Sequence, residues 1–468
     1  MADFKWKPIE RLPLLEQGRH QALYESWRAA KRRLPLAKFT QRLVRRLSIE
    51  TGILEGLYGL DRETTEVLVA HGFNEDFVPR TSTNIEPGRL IDILRDHEAA
   101  IQLVIDCVTK SRPLTKGLMH ELQSILTRHQ DSTTAIDGLG RRFEIPLSKG
   151  KFKHKPNNPK RPDGSIHGYC PPIHVAAEVD NLLSWLADYS SEDPVLVAAW
   201  LHHRFTQIHP YQDGNGRVAR ALTTLVLLRA DLLPLIVDRD LRNDYINALE
   251  SADQSSLAPL AEMFSRLERN AILQALSVER LGPVAGTSAA IAALTVKIGK
   301  RNSSELTELR RVNSVAELLK VQASTIIARS FEELEPALSH LGSPVLAVSS
   351  DGLSMQEAAV YQDEVWRSAS EVEIFANFAE EHHFVSGLIR VNTASLSFVL
   401  SLHHIGREVT GIMQAIAFSK LGSGRFSLCS TEPFVFTHLS DLSSLEAPFA
   451  TWLDDALGVA LTNFIDRL

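Results

Sequence analysis

The sequence predicts a mainly α-helical protein that ends in a smaller α+β module. Through most of the first 276 residues of this 468-residue chain, apolar residues recur at three- and four-residue spacing. That period is typical of amphipathic helices. A basic segment rich in Pro and Gly interrupts it between Arg141 and Pro172. Beyond His340, short apolar runs of strand character take over.

The predicted helices follow the apolar spacing in chain order. They cover Leu14 to Leu60 in more than one piece, Leu90 to Thr109, Leu114 to His129, Ile173 to Leu186, Pro194 to Gln207 and Val218 to Arg229, and helical spacing persists to about Leu276. Between Arg141 and Pro172 the stretch KGKFKHKPNNPKRPDGSIHGYCPP predicts a hairpin with an exposed basic tip, because Pro, Gly and Asn mark turns.

The C-terminal third combines a helical segment with predicted strands. Asn313 to Glu335 has the pattern of a helix-turn-helix, with the turn at Lys320 and a second helix from Ala323. The second helix offers few side chains for DNA and is followed by glutamates, so we expect a protein-contact or structural role rather than DNA binding. The strands are FVSGLIRV, SLSFVLSLHH, GIMQAIAFSKL and FSLCSTEPFVFTHL, followed by a helix from Leu445 to Leu468.

Composition gives the protein class but not its function. The formal net charge of -7 provides no overall attraction to nucleic acid or membranes. The three cysteines, Cys107, Cys170 and Cys429, are far apart and form no CxxC pair, which argues against disulfides and thiolate zinc sites. No apolar run resembles a signal peptide or a membrane span. We therefore expect a cytoplasmic protein that does not bind membranes.

Changes in residue pattern suggest four regions. We predict an N-terminal helical region over residues 1–81, a helical core over residues 82–280, the helix-turn-helix segment over residues 281–340 and the α+β module over residues 341–468. Small residues in Gly282 to Ala290 mark the boundary after the core.

The most informative stretch is IHPYQDGNGRVAR, Ile208 to Arg220, at a predicted loop between two helices. Gly214 and Gly216 permit a loop whose backbone N–H groups converge on an anion, and the following helix adds its positive N-terminal end. Arg217 and Arg220 are three residues apart and project to one side of that helix. The stretch therefore predicts a phosphate-binding site.

Two further side chains add chemistry to this site. Asp213 is a hard oxygen ligand of the kind that Mg²⁺ takes while it also holds phosphates. His209 is the natural general base. Together they suit transfer of a group from a nucleoside triphosphate to a hydroxyl. A zinc site is an alternative interpretation of His202, His203 and His209, but no carboxylate or fourth ligand lies at suitable spacing in the sequence.

The stretch resembles the signature of the Fic family, HPFxDGNGRxxR, with Tyr211 in place of Phe. The resemblance implies a helical Fic-type core with a β-hairpin flap, and AMP transfer from ATP to a Ser, Thr or Tyr hydroxyl of a target protein. In that scheme His209 is the base and Asp213 holds Mg²⁺. The remaining residues would bind ATP phosphates, namely Gly214, Asn215, Gly216, Arg217 and Arg220. Many relatives carry a winged-helix unit after this core, which is the context for the predicted helix-turn-helix.

Two other segments resemble family elements. LRNDYINALESAD is similar to the adenine-side helix, with Tyr245 as the matching aromatic and Asp253 where relatives often have Asn. Thr51-Gly-Ile-Leu-Glu55-Gly56 fits the inhibitory pattern [ST]xxxE[GN], in which Glu55 would pair with Arg220. The resemblance thus implies self-inhibition, and it also allows Glu55 to assist in removing AMP.

Other functions stay open at this level. A silent core could serve as a nucleotide-responsive regulator or scaffold, with DNA binding through the helix-turn-helix as its least favoured form. Relatives of this fold also transfer other phosphate-containing groups, so a different donor is a further alternative. A homodimer contact often accompanies this kind of inhibition, and the sequence leaves the oligomeric state open.

Overall fold

The structure is a computed structural model that describes residues 5–13, 20–136, 142–161, 164–278, 303–350, 355–430 and 432–466. The chain separates into two compact units. Unit 1 comprises Met1–Gly18 and Ala37–Ala271, and unit 2 comprises Arg19–Leu36 and Ile272–Leu468. Within the described ranges, no helix combines the length and apolar character that a membrane crossing requires.

The elements are numbered in chain order. The helices are α1 Gln21–Ala30, α2 Ala37–Leu54, α3 Arg62–His71, α4 Pro87–Thr109, α5 Lys116–Leu126, α6 Pro172–Asp188, α7 Pro194–Ile208, α8 Asn215–Arg229, α9 Arg242–Asp253, α10 Ala258–Leu276, α11 Ser303–Ser339, α12 Met355–Glu371 and α13 Leu442–Ile465. The strands are β1 Ser132–Ile136, β2 Arg142–Pro146, β3 Val345–Ser349, β4 Ala376–Asn377, β5 His383–Val391, β6 Ala394–Ile405, β7 Ile412–Leu421, β8 Ser427–Leu428 and β9 Phe434–Thr437.

Local signals in the sequence set several helix starts in unit 1. The Asp193 carboxylate accepts from the N–H groups of Val195 and Leu196 at 2.8 and 3.3 Å, and Pro194 occupies the first turn, where its missing N–H costs nothing. Asp61 and Thr115 cap α3 and α5 in the same way. The Asp193 cap fixes where α7 begins, and the motif loop follows the C-terminal end of this helix.

Two small hairpins lie in unit 1, where one was predicted between Arg141 and Pro172. Strands β1 and β2 pair antiparallel from Ser132–Pro146 to Ile136–Arg142, which is earlier in the chain than expected. A tighter hairpin within the predicted range is closed by a bridge between Lys160 and Ile166. The prediction was incomplete because no element was predicted between the helix that ends at His129 and the hairpin that begins at Arg141, where the first strand lies.

Helix α2 is fixed to the rest of unit 1 by buried polar contacts. The Glu50 carboxylate, almost fully buried, accepts from the Arg239 guanidinium at 2.7 Å and from the Arg239 backbone N–H at 3.0 Å. His97 of α4 donates from Nδ1 to the Ser48 carbonyl at 2.8 Å. The Tyr58 hydroxyl donates to the Ile49 carbonyl at 2.9 Å. These contacts define the position of the C-terminal end of α2.

Unit 2 is built on an antiparallel sheet of order β3-β5-β6-β7-β8, with β4 paired to β6 and β9 paired to β7. Alternate residues of β6 and β7 face opposite sides, as the two-residue period of a strand requires. On one side Phe398 and Met413 pack against α11 and α13. On the other side Val399 and Phe418 pack against α12. The sheet is therefore covered by helices on both faces.

The helix-turn-helix predicted at Asn313–Glu335 is wrong, because these residues lie within the single helix α11. Lys320, placed in the predicted turn, is helical and pairs with Glu317 at 2.7 Å. An uninterrupted apolar stripe explains the continuity, since one face of the helix buries Val312, Ala316, Leu319, Ala323, Ile327 and Phe331 against the sheet. Because the segment has no turn between two helices, the reason for considering DNA binding there is removed.

The predicted fold class, mainly α with a C-terminal sheet module, is confirmed. The predicted strands correspond to β5, β6, β7, β8 and β9, and the last predicted helix corresponds to α13. The predicted boundary at Gly282–Ala290 lies outside the described residues. Apart from the helix-turn-helix, the predicted division into regions therefore stays a prediction.

Replacing Arg239 by Ala is expected to destabilise unit 1 strongly. The change leaves the Glu50 carboxylate buried without its cation, a situation that costs about 3–5 kcal/mol. Denaturant unfolding of the full chain measures it, with Arg62→Ala as the matched control, since the Arg62–Asp240 pair is exposed. Equal effects of the two substitutions would contradict a structural role for the Glu50–Arg239 pair.

Candidate active site

The motif loop joins the C-terminal end of α7 to the N-terminal end of α8. His209 follows α7 with a left-handed backbone at φ 52°, and Gly214 precedes α8 at φ 84°. A side-chain carbon at Gly214 would lie 2.9 Å from the Thr127 methyl group, so both conformation and space require glycine. Helix α8 starts at Asn215, three residues before the predicted Val218.

Asn215 closes the loop from within. Its side-chain Nδ2 donates to the Tyr211 carbonyl, and its Oδ1 accepts from the Tyr211 N–H, both at 2.8 Å. The side chain is almost fully buried. Because both ends of the amide are engaged in closing the loop, the backbone N–H of Asn215 is the donor that the start of α8 presents to an anion. The N–H groups of the first turn of α8 have no partner within the helix, which makes this end suitable for a phosphate.

Tyr211, the departure from the family signature, is fully buried. Its hydroxyl is hydrogen-bonded to His120 Nδ1 at 3.0 Å. The ring packs edge-on to His120 and lies near Phe152 and Phe205. His120 therefore supplies the polar partner that a buried tyrosine requires and a phenylalanine does not.

His209 is held in one orientation. Its Nδ1–H donates to the Thr206 carbonyl at 3.3 Å, which leaves the lone pair on Nε2. The imidazole stacks on the Tyr169 ring, with centroids 3.7 Å apart and planes within 8°. Burial, with smaller contributions from Lys153 and His167, lowers the pKa of His209 well below its usual value near 6.5. The imidazole is therefore neutral and able to accept a proton.

Asp213 is fixed by neighbours outside the motif. Its Oδ2 accepts from Gln130 Nε2 at 2.6 Å and from the Thr133 hydroxyl at 2.9 Å. Its Oδ1 accepts from the Gly214 N–H at 2.6 Å. About a third of the side chain is exposed, so the carboxylate is ordered and still reachable.

Arg217 is buried and engaged. It donates to the Leu126 carbonyl and to Gln130 Oε1, both at 2.7 Å, and lies 3.5 Å from Asp213 Oδ1. Burial lowers the pKa of Arg217, although the Asp213 and Glu55 carboxylates oppose that effect. In this arrangement the Arg217 guanidinium orders the motif loop and Gln130. A bound phosphate would have to share the guanidinium with these partners.

Arg220 is bound to the end of α2. Its Nη2 contacts Glu55 Oε1 at 2.6 Å and the Thr51 carbonyl at 3.2 Å, and its Nε donates to the Thr51 hydroxyl. Burial opposes the charge, but the Glu55 carboxylate and the Tyr245 hydroxyl outweigh it and raise the pKa of Arg220. The structure thus brings Thr51, Glu55 and Arg220 together across 165 residues of sequence.

Glycines make room for the Glu55 carboxylate. A side-chain carbon at Gly216 would overlap Glu55 Oε1, so the carboxylate lies directly against the start of α8. Gly56 has φ 68°, the left-handed conformation that ends a helix, and its N–H donates to the Ile53 carbonyl at 3.0 Å. Glu55 therefore occupies space beside the helix end at which a phosphate is expected.

The predicted adenine-side residues are engaged with other side chains. Tyr245 is nearly fully buried, and its hydroxyl is 2.6 Å from His202 Nε2. Asp253 lies 3.0 Å from His203 Nε2 and 3.8 Å from His167 Nδ1. Burial lowers the pKa of His202 to about 3, so this wall of the site is built from neutral histidines.

A magnesium ion suits this arrangement. Mg²⁺ commonly takes one or two carboxylates together with substrate phosphates and waters. Asp213 supplies one ordered, reachable carboxylate next to the start of α8. The described residues contain no group of three or more His, Cys, Asp or Glu side chains placed around a metal ion. The residues present therefore fit a metal that arrives with a phosphate-bearing substrate.

Several contributors to the site were not identified from the sequence. Lys153, Asn157 and Tyr169 come from the basic segment, which was assigned to an exposed flap tip, yet Lys153 is buried and its N–H donates to the Pro210 carbonyl at 2.8 Å. Gln130 contacts both Asp213 and Arg217. A signal for the segment was present in its aromatic residues, such as Phe152 and Tyr169, which are unusual in a purely solvated basic loop.

Comparison with known proteins agrees with this local geometry. Residues 113–227 match the model of the Fic/DOC family. Protein adenylyltransferase fic-1 of Caenorhabditis elegans is 32% identical over 97 residues, which are 20% of this chain and 19% of that protein. Protein adenylyltransferase Fic of Drosophila willistoni is 31% identical over 156 residues, which are 32% of this chain and 28% of that protein.

Among solved structures, a Fic domain containing signaling protein from Bacteroides thetaiotaomicron aligns with a TM-score of 0.44 at 22% identity, covering 56% of this chain and 98% of that one. The family-model match shows a Fic domain over residues 113–227, which include the motif loop. The chain spans less than a third of the length of the curated relatives named above.

Tyr211→Phe, which restores the residue of the family signature, is expected to lower the free energy of unfolding by about 1 kcal/mol. The change removes the bond to His120, while Asn215 still closes the loop through the backbone. Urea unfolding of both proteins measures the difference. An unchanged or raised stability would show that the hydroxyl contributes nothing to the fold.

Proposed function

We propose that this protein is a self-inhibited protein adenylyltransferase that moves AMP from ATP to a hydroxyl side chain of a target protein. The observation that carries the proposal is the contact of Glu55 with Arg220, 2.6 Å apart, beside an intact motif loop. The Fic domain and the relatives named protein adenylyltransferase support the transferase class. ATP and the target protein are the partners that this function requires.

Proton removal falls to His209. Its free Nε2 lone pair and lowered pKa suit acceptance of the proton from the attacking hydroxyl. The oxygen attacks the α-phosphorus of ATP, the bond to the bridging oxygen breaks, and pyrophosphate leaves. Reaction at the α-phosphorus leaves AMP on the target oxygen.

Charge stabilisation falls to the start of α8. The backbone N–H groups from Asn215 onward would donate to the anion, and the dipole of the 15-residue helix favours negative charge there. Asp213 is the residue that would hold Mg²⁺, which when bound offsets the charge of the phosphates. Arg220 would bind the outer phosphate once Glu55 has left it.

Inhibition follows from competition for Arg220. The Glu55 carboxylate and an outer phosphate are both anions, and one buried guanidinium already bonded to Thr51 has little room for both. While Glu55 is bound, ATP lacks this contact and its α-phosphate is not positioned for attack. Removal of AMP at the same site, with Glu55 engaged, belongs to the same proposal.

Glu55→Gly is expected to raise self-modification by ATP and Mg²⁺ at least ~10-fold, equivalent to about 1.4 kcal/mol of barrier. Intact-protein mass spectrometry detects the added AMP. The double variant Glu55→Gly with His209→Ala should lose about 100-fold or more of that rate, because the base is absent.

The outcomes separate the alternatives. An adduct on Glu55→Gly that persists without His209 would contradict the assigned base. No adduct with ATP on any variant, while ATP still binds, would support a silent scaffold. An adduct that forms only from another nucleotide would show that the donor is not ATP, while the assigned site would stand.

The rate of Glu55→Gly is expected to stay high as the pH falls through the usual histidine range. A general base must be neutral, and His209 with a lowered pKa remains neutral to lower pH than an exposed histidine. Initial rates between about pH 5 and about 8 measure this, and the acidic limb should have its midpoint below 6.5. A midpoint above that value would contradict the assigned environment.

A further inference from the structure

Tyr169 makes the closest ring contact with the candidate base. The Tyr169 and His209 rings are parallel within 8°, and their centroids are 3.7 Å apart. His209 has a strained left-handed backbone and only one side-chain hydrogen bond among its described contacts, the 3.3 Å bond to Thr206. A single hydrogen bond of 3.3 Å restrains rotation about χ2 only weakly, so the stack is the contact that most restricts the plane of the ring.

The segment that carries Tyr169 is tied to the motif loop. The Tyr169 N–H donates to Asn158 Oδ1 at 2.9 Å. Asn157 Nδ2 donates to the carbonyls of Tyr211 and Gln212 at 2.9 and 3.2 Å. Tyr169 is thus placed by the same loop that holds the backbone after His209.

Lys153 strengthens this connection. Its N–H donates to the Pro210 carbonyl at 2.8 Å, and its Nζ donates to Asn157 Oδ1 at 2.9 Å. The ammonium lies 5.7 Å from the centre of the Tyr169 ring, within cation–π range. Burial lowers the pKa of Lys153 to about 8, so the amine is mostly charged at neutral pH and disfavours a second positive charge on His209.

We propose that Tyr169 is a positioning residue for His209: its ring holds the imidazole plane so that Nε2 points at the incoming hydroxyl. The catalytic consequence of this inference rests on the proposed function. The stacking of the two rings does not depend on that function. The ring, not the hydroxyl, makes the contact. The Tyr169→Phe variant should therefore keep the orientation of His209, and the Tyr169→Leu variant should lose it.

The stack is tested without activity by NMR of the full chain carrying ¹³C-labelled histidine. A ring stacked on an aromatic face is shielded, so the His209 Hε1 signal, assigned by its loss in His209→Ala, should lie upfield of ordinary histidine signals. Tyr169→Phe should keep that position. Tyr169→Leu should move the signal downfield, because the aromatic ring is gone. It should also raise the pKa of His209, because burial is the main cause of the lowered pKa and loss of the ring admits water.

Catalytic consequence is tested in the Glu55→Gly background. Tyr169→Leu should lower kcat at least ~10-fold through misplacement of the base, with KM for ATP unchanged, and Tyr169→Phe should restore most of the rate. An unshielded His209 signal in the natural sequence would overturn the proposal even if no leucine variant folds. Equal kcat for leucine and phenylalanine would overturn it too. An inactive Glu55→Gly protein with a shielded His209 would refute the adenylyltransferase function and leave the stack intact.

Discussion

The contact between Glu55 and Arg220 joins the end of α2 to the helix that starts at the motif loop. Arg220 is almost fully buried, and a buried guanidinium without an anion is unfavourable by about 3–5 kcal/mol. Glu55 therefore cannot leave without a replacement of like charge. Under the proposed function, the outer phosphate of ATP would be such a replacement, and inhibition and substrate binding would be an exchange of one anion for another at Arg220.

This exchange depends on where α2 ends. The Glu50–Arg239 pair and the bonds of His97 and Tyr58 to backbone carbonyls fix the last turns of the helix. Tyr58 also fits against Gly52, where a side-chain carbon would overlap its ring. Glu55 itself lies one residue past the helix and is about a quarter exposed. The anchored helix and the accessible carboxylate suggest that Glu55 can move while α2 stays in place.

The parts of this account that are contiguous in sequence were the most predictable. The order of His209, Asp213 and the glycines already indicates a loop that leads into a helix, because neighbours in sequence must be neighbours in space; the role of His209 as base stays a prediction. Tyr169, Lys153 and Gln130 reach the site only through tertiary packing, and no periodicity in their own segments indicates it. For helix α11 the sequence suggested a feature that the structure lacks. A turn was predicted at Lys320, but the buried apolar stripe of the helix continues on both sides of this residue.

The central claim is that Glu55 occupies Arg220 at the expense of an outer phosphate. Calorimetric titration of the natural sequence and of the isosteric Glu55→Gln variant, each with a non-hydrolysable ATP analogue and with AMP, tests it most directly. The account predicts tighter binding of the ATP analogue to Glu55→Gln by about 10-fold, or about 1.4 kcal/mol, and equal binding of AMP. Equal affinity of the two proteins for the ATP analogue would show that the carboxylate and the phosphate do not compete, and would contradict the account.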